Sequence, residues 1–118
     1  MVDKFKQILQ TIEKDKGAVT LLVILKMDEF TDKWTVIISA PWTNESVEIF
    51  NYLSQVIKSN LTPEESSTIA RIGIFPRDDH IINLFLNYQT DLKITEDTKL
   101  NGNVIHEAYI VKSDSSVS

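Results

Sequence analysis

Val19-Thr20-Leu21-Leu22-Val23-Ile24-Leu25, followed after a polar break by Trp34-Thr35-Val36-Ile37-Ile38-Ser39-Ala40, decides the fold of this 118-residue chain. Both runs are rich in β-branched residues, which suit a pleated, half-buried surface. The first is apolar on both alternating sets, the pattern of a strand covered on both faces. The break between the runs, Asp28–Lys33, is too short for a crossover helix, so the two are expected to pair antiparallel. Pro41 ends the second run, because it has no N–H to give to a ladder. The block from Ala18 to Trp42 is thus the frame on which the other elements should pack.

Upstream of it, Phe5, Ile8, Leu9 and Ile12 recur at helical spacing and predict an amphipathic helix over Asp3–Lys14, with Gly17 as its stop. Downstream, Val47, Phe50, Leu53, Ile57 and Leu61 form a stripe, widened by Ile49, Tyr52 and Val56. It predicts a helix from about Glu45 to Ser59, capped by Thr43 or Asn44 and buried against more than one neighbour. Thr62-Pro63-Glu64-Glu65 is a second helix start: Thr62 suits the cap, Pro63 the first helical position, and Glu65 closes a capping box. One helical turn and a third strand, Ile69–Phe75, should follow, with Pro76 stopping the strand. A third long helix is expected over His80–Tyr88, capped by Asp78 or Asp79. Its buried side is Ile81, Ile82, Leu84, Phe85 and Tyr88.

Thr90–Asn103 is polar and reads as a connection, with a turn at Asn101-Gly102 and with Leu92, Ile94 and Leu100 tacking it to the body. The last strand, Val104–Lys112, should place Val104, His106, Ala108 and Ile110 on one face and Ile105, Glu107, Tyr109 and Val111 on the other. The reading is an α/β (α+β) single domain over residues 1–112, in the order αββαβαβ. It has a four-stranded mixed sheet with an antiparallel first hairpin and helices on its faces. Residues 113–118 are expected to be a flexible polar tail.

Composition narrows the function classes. The apolar and charged fractions, 42% and 25%, are ordinary for a globular protein, and the length suits one domain. With no cysteine in the chain, disulfides, thiolate catalysis and Cys-ligated metals are excluded. Met1–Lys6 lacks the apolar core of a secretory signal, and Leu21–Leu25, the longest apolar run, is far shorter than the about 20 residues of a membrane span. A cytoplasmic protein is expected, with no membrane contact. The net charge is −5, and no basic patch offers the phosphate neutralisation on which nucleic-acid affinity depends. Nucleic acid is therefore not an expected partner.

The one charged constellation with chemical interest is Arg77-Asp78-Asp79-His80. Ligands of α/β sheets sit outside the carboxyl ends of the strands. If strands two and three run parallel, Ala40-Pro41-Trp42 and Phe75-Pro76-Arg77 emerge on one edge. Trp42, Arg77, Asp78, Asp79 and His80 are accordingly the candidate ligand-binding residues: Arg77 for an anion, Trp42 as a stacking wall, the acids and His80 for a metal or a proton. The competing account is simpler, since acids that open a helix are favoured by capping and the helix dipole alone. Adjacent Asp78 and Asp79 also point in different directions. His106 on the last strand reads as a hydrogen-bonded structural histidine.

Catalytic motifs fail one by one. Gly17, Gly73 and Gly102 form no phosphate loop, no serine stands between glycines, and the second strand carries none of the charged groups of a restriction-type nuclease. No catalytic residue, metal or cofactor is assigned. The expectation is a small non-catalytic protein that acts through protein contacts and self-associates as a homodimer, with Phe30 as an exposed aromatic at an interface. The alternative is a small-molecule or metal-dependent enzyme at the carboxyl ends of strands two and three.

Overall fold

β1 (Leu21–Met27) lies in the middle of the sheet, as its two-sided apolar run requires. The computed structural model describes residues 1–27, 32–100 and 102–117. Asp28–Thr31 of the hairpin connection, including Phe30, and Asn101 of the expected turn lie outside them. β1 pairs antiparallel with β2 (Trp34–Ser39), Leu21 facing Ser39 and Leu25 facing Thr35. On its other side it pairs antiparallel with β6 (Asn103–Ser113). β2 pairs parallel with β3 (Ile69–Ile74), as a helical crossover demands. β6 therefore points the same way as β3, with β2 and β1 between them.

Side-chain alternation along β1 divides the core into two layers. Leu22 and Ile24 meet Phe5, Ile8 and Ile12 of α1 (Val2–Lys16) and Leu53 and Ile57 of α2 (Val47–Asn60). Leu21, Val23 and Leu25 meet Ile82 and Phe85 of α4 (His80–Phe85), with Ile105, Ala108 and Ile110 of β6. Each large side chain removed from water in this way stabilises the fold by about 1.5–3 kcal/mol. The four-residue α3 (Pro63–Ser66) forms between α2 and β3 with the expected capping box between Thr62 and Glu65.

Four details depart from the expectation, each for a physical reason. The sheet has six strands among the described residues rather than four: β4 (Lys93–Ile94) and β5 (Thr98–Leu100) line the outer edge of β6. Strands of two and three residues are too short to leave a period in sequence. The cap of α2 is Ser46, whose hydroxyl accepts from Ile49 N at 3.3 Å. Thr43 instead bonds Ala40, and Asn44 accepts from Ser46 N. The helix expected over His80–Tyr88 closes at Phe85.

The fourth departure is in β6, where the expected alternation breaks. Lys26 pairs with Glu107 but Met27 pairs with Ile105, so His106 is the extra residue of a bulge. Ile105 thereby joins Ala108 and Ile110 on one face. His106 turns its Nδ1 to Asp97 at 2.8 Å.

Near its end the chain bonds back to Thr20. Ser113 closes β6, Asp114 N donates to Thr20 O at 2.9 Å, and Thr20 Oγ1 donates to Val117 O at 3.2 Å. Among the described residues, no helix is long and apolar enough to cross a membrane.

Candidate functional site

The five residues singled out in the sequence divide between the two faces of the sheet. Trp42 packs against the α1/α2 layer, and its indole Nε1 donates to the carbonyls of Gly17 and Ala18, both at 3.1 Å. Gly17 closes α1 at φ 118, where a side chain would be strained, and a Cβ there would stand 3.7 Å from Trp42 Cδ1. The indole thus clamps the end of α1 to the end of β2.

Arg77, Asp78, Asp79 and His80 lie at the start of α4, on the other layer. Asp79 is its N-cap, accepting from Ile81 N at 2.9 Å. Arg77 Nη1 donates to Asn83 Oδ1 at 3.0 Å, and Asn83 Nδ2 donates to the Asp78 carbonyl at 3.4 Å. His80 is exposed at the first position of the helix. These bonds close a turn onto a helix, the local role that capping chemistry gives such a segment. Among the described residues, no group of three or more His, Asp or Glu stands together to hold a metal ion.

The shared carboxyl edge of β2 and β3 does form a cleft, of about 340 Å³. Its walls are Thr43, Asn44 and Glu45 on one side and Ile74, Phe75 and Pro76 on the other. A second cavity, of about 250 Å³, lies on the α4 face of the sheet. Leu25, Ile37, Phe75 and Phe85 supply its apolar wall, and Arg71 and Asp79 its charges. Met27 Sδ lies at its side, 3.5 Å from Arg71 Nη2 and 4.0 Å from Thr35 Oγ1. Asp79 is the one candidate residue that lines this cavity.

A third feature was not expected. Val47 and Phe50, read as part of a buried stripe, are 72% and 43% exposed, while Leu53 and Ile57 further along α2 are buried. With Glu45, Ser46, Ile72 and Ile74 they line a groove of about 370 Å³ between the start of α2 and β3. β3 is the last strand of the sheet on that side, so among the described residues no strand pairs its outer edge. No sequence signal separates this patch from core, because an amphipathic stripe has the same period whether its neighbour is its own sheet or another chain.

Comparison with protein-family models, with curated proteins and with solved structures finds no match for this chain.

Proposed function

We propose that this chain is a small non-catalytic protein that works through protein–protein contacts, and that its contact surface is the β3 edge with the first turns of α2. The observation that carries the reading is the pair of large apolar side chains, Val47 and Phe50, exposed beside the apolar side chains of an edge strand. Grouped exposed apolar side chains of this kind mark interaction sites more often than scattered ones do. The edge is protected only in part, by a register shift between Ile69 and Arg71. Natural sheets blunt their edges with short strands, lysines and bulges. The opposite margin does this, with the two-residue β4 carrying Lys93. β3 is six residues long, and Arg71 is its one charged residue.

The test is a photoreactive side chain placed at Phe50 in cells that carry the protein, with Lys14 on α1 as the control position. Covalent adducts from position 50, absent at position 14 and suppressed by Val47→Lys, are expected. No adduct at position 50 would remove the reading.

The second reading is a small-molecule site in the cavity beneath α4, favoured by its mostly apolar wall with one cationic and one anionic side chain. Ligands that occupy it should raise the melting temperature, and Ile37→Trp, which fills it, should abolish that rise.

A further inference from the structure

Two hydrogen-bond donors converge on one sulfur beneath α4. β1, β2 and β3 set Leu25, Thr35 and Arg71 side by side in a single row of the sheet. Met27, two residues beyond Leu25, is buried on that same face. Its Sδ accepts from Arg71 Nη2 at 3.5 Å and from Thr35 Oγ1 at 4.0 Å. Thr35 is 2% exposed, and among the described residues this thioether is the acceptor its hydroxyl finds. A thioether accepts only weakly, so a buried hydroxyl and a guanidinium are both aimed at a poor partner.

The spacing suits an oxygen between them. An oxygen bonded to Sδ at about 1.5 Å, accepting on a bent path at about 2.8–2.9 Å, leaves its donors roughly 3.5–4.0 Å from the sulfur. Arg71 and Thr35 stand at those separations. We propose that Met27 is a site of reversible oxidation, its sulfoxide oxygen held by Arg71 and Thr35. The oxidant is a peroxide of the smallest kind, hydrogen peroxide. The cavity of about 250 Å³ beside Met27 has room for it, since a water's share of liquid volume is about 30 Å³. Arg71 is exposed, so the cavity reaches solvent beside it.

The step balances without a cofactor. A sulfur lone pair attacks one peroxide oxygen, the O–O bond breaks and an S–O bond forms. The departing hydroxide takes the proton of the transferred oxygen and leaves as water. Sulfur gives up two electrons and the peroxide takes them. A methionine sulfoxide reductase restores the thioether: two thiols become a disulfide and the oxygen leaves as water.

A sulfoxide in a core is ordinarily disruptive, because a polar group replaces an apolar one. Here its donors are already in place, and a hydrogen bond from a charged donor is the stronger kind. The fold should keep its packing after oxidation, while the cavity gains a polar wall. The donors also fix a hand. The sulfoxide sulfur is chiral, and Arg71 and Thr35 are neighbours in register, both on strands to one side of β1. An oxygen held between them belongs to one epimer. Met27 takes that oxygen whatever binds in the cavity or on the β3 edge.

The experiment treats the folded full chain with hydrogen peroxide and follows oxygen addition by peptide mass. Met1 is the other of the two methionines and serves as internal reference. Met27 should gain one oxygen while the circular dichroism of the chain stays unchanged. Sulfoxide reductases are specific for one epimer each. After digestion, the Met27 peptide should be reduced by one of the two enzyme types alone, and the Met1 peptide by both. Thr35→Val with Arg71→Leu should yield both epimers at Met27. Oxidation should also lower the melting temperature of that variant by about 4 °C or more beyond any change in the parent.

Oxygen addition to Met27 only after unfolding in urea overturns the site. So does an epimer mixture at Met27 like that at Met1, which is read on the parent whether or not the variant folds. An equal fall in melting temperature for parent and variant overturns the role of Arg71 and Thr35.

Discussion

The ring of Phe75 lies so close over Gly73 that a Cβ at residue 73 would stand 2.7 Å from Phe75 Cε2. Gly73 therefore lets an aromatic fold back along its own strand and wall the cavity beneath α4. Gly73→Ala should push the ring aside and cost about 1–2 kcal/mol in urea unfolding, the range of overpacking. In a double-mutant cycle with Phe75→Ala the penalty of Gly73→Ala should largely vanish. Equal penalties in the two backgrounds would show that the ring is not what the alanine meets.

Trp42→Phe keeps an aromatic body against the α1/α2 layer and removes the donor to Gly17 and Ala18. A loss of about 1 kcal/mol is expected, the net worth of such a bond. Amide hydrogen exchange should quicken in the last turn of α1. Unchanged exchange there would mean that the indole does not hold the helix end.

Asp79 and Asp78 should part company under mutation. Asp79→Ala removes the cap of α4 and should cost about 1 kcal/mol. Asp78→Ala at an exposed position should stay within about 0.5 kcal/mol of the parent. A divalent cation that raised the melting temperature of the parent, but of neither variant, would give the two acids a shared role that capping does not explain.

Ser39 is fully buried, and among the described residues its hydroxyl has no hydrogen-bond partner. Burial of an unpaired hydroxyl costs free energy that an apolar replacement avoids. Ser39→Ala should stabilise the protein by about 0.5–1 kcal/mol in chemical denaturation. A loss of stability would point to a partner for the hydroxyl in solution.

The pairing of Lys4 with Glu65 ties α1 to α3. The Lys4 ammonium, and next the Thr62 N–H that donates at 2.9 Å, hold the Glu65 carboxyl at about 2 against an ordinary 4.5. A lowered carboxyl favours the folded state above its unfolded value, and the benefit is lost as pH falls through the folded one. Stability should therefore decline between about pH 4.5 and pH 2, and Glu65→Gln should flatten that limb. Asp91 and Asp114 are shifted in the same direction and keep part of the slope. At the alkaline end Tyr52, raised to about 12 by burial and then by its bond to Asp15, favours the folded state below pH 10. That benefit should fade between about pH 10 and pH 12.

Periodicity by itself determined the elements that bury most. The two-sided run Leu21–Leu25 implied a central strand, the short break before Trp34 an antiparallel partner, and Phe5, Ile8 and Ile12 a helix on the sheet. Thr62–Glu65 and a cap at Asp78 or Asp79 were legible because capping is chemistry between residues two or three positions apart, and the structure takes Asp79. The tertiary structure decided what depends on partners distant in sequence. β4 and β5 exist because β6, eleven residues long, offers an edge to pair with. The bulge at His106 reverses an alternation that local pattern could only continue.

The candidate site shows the same division. Arg77–His80 was placed correctly at a helix start, but Trp42 belongs to the opposite layer, since which sheet face an element covers is set by the path of the chain. Val47 and Phe50 share a stripe with buried Leu53 and Ile57, and only the end of the sheet at β3 leaves them uncovered. A stripe records that a face is apolar; what stands opposite that face is decided by assembly of the whole sheet.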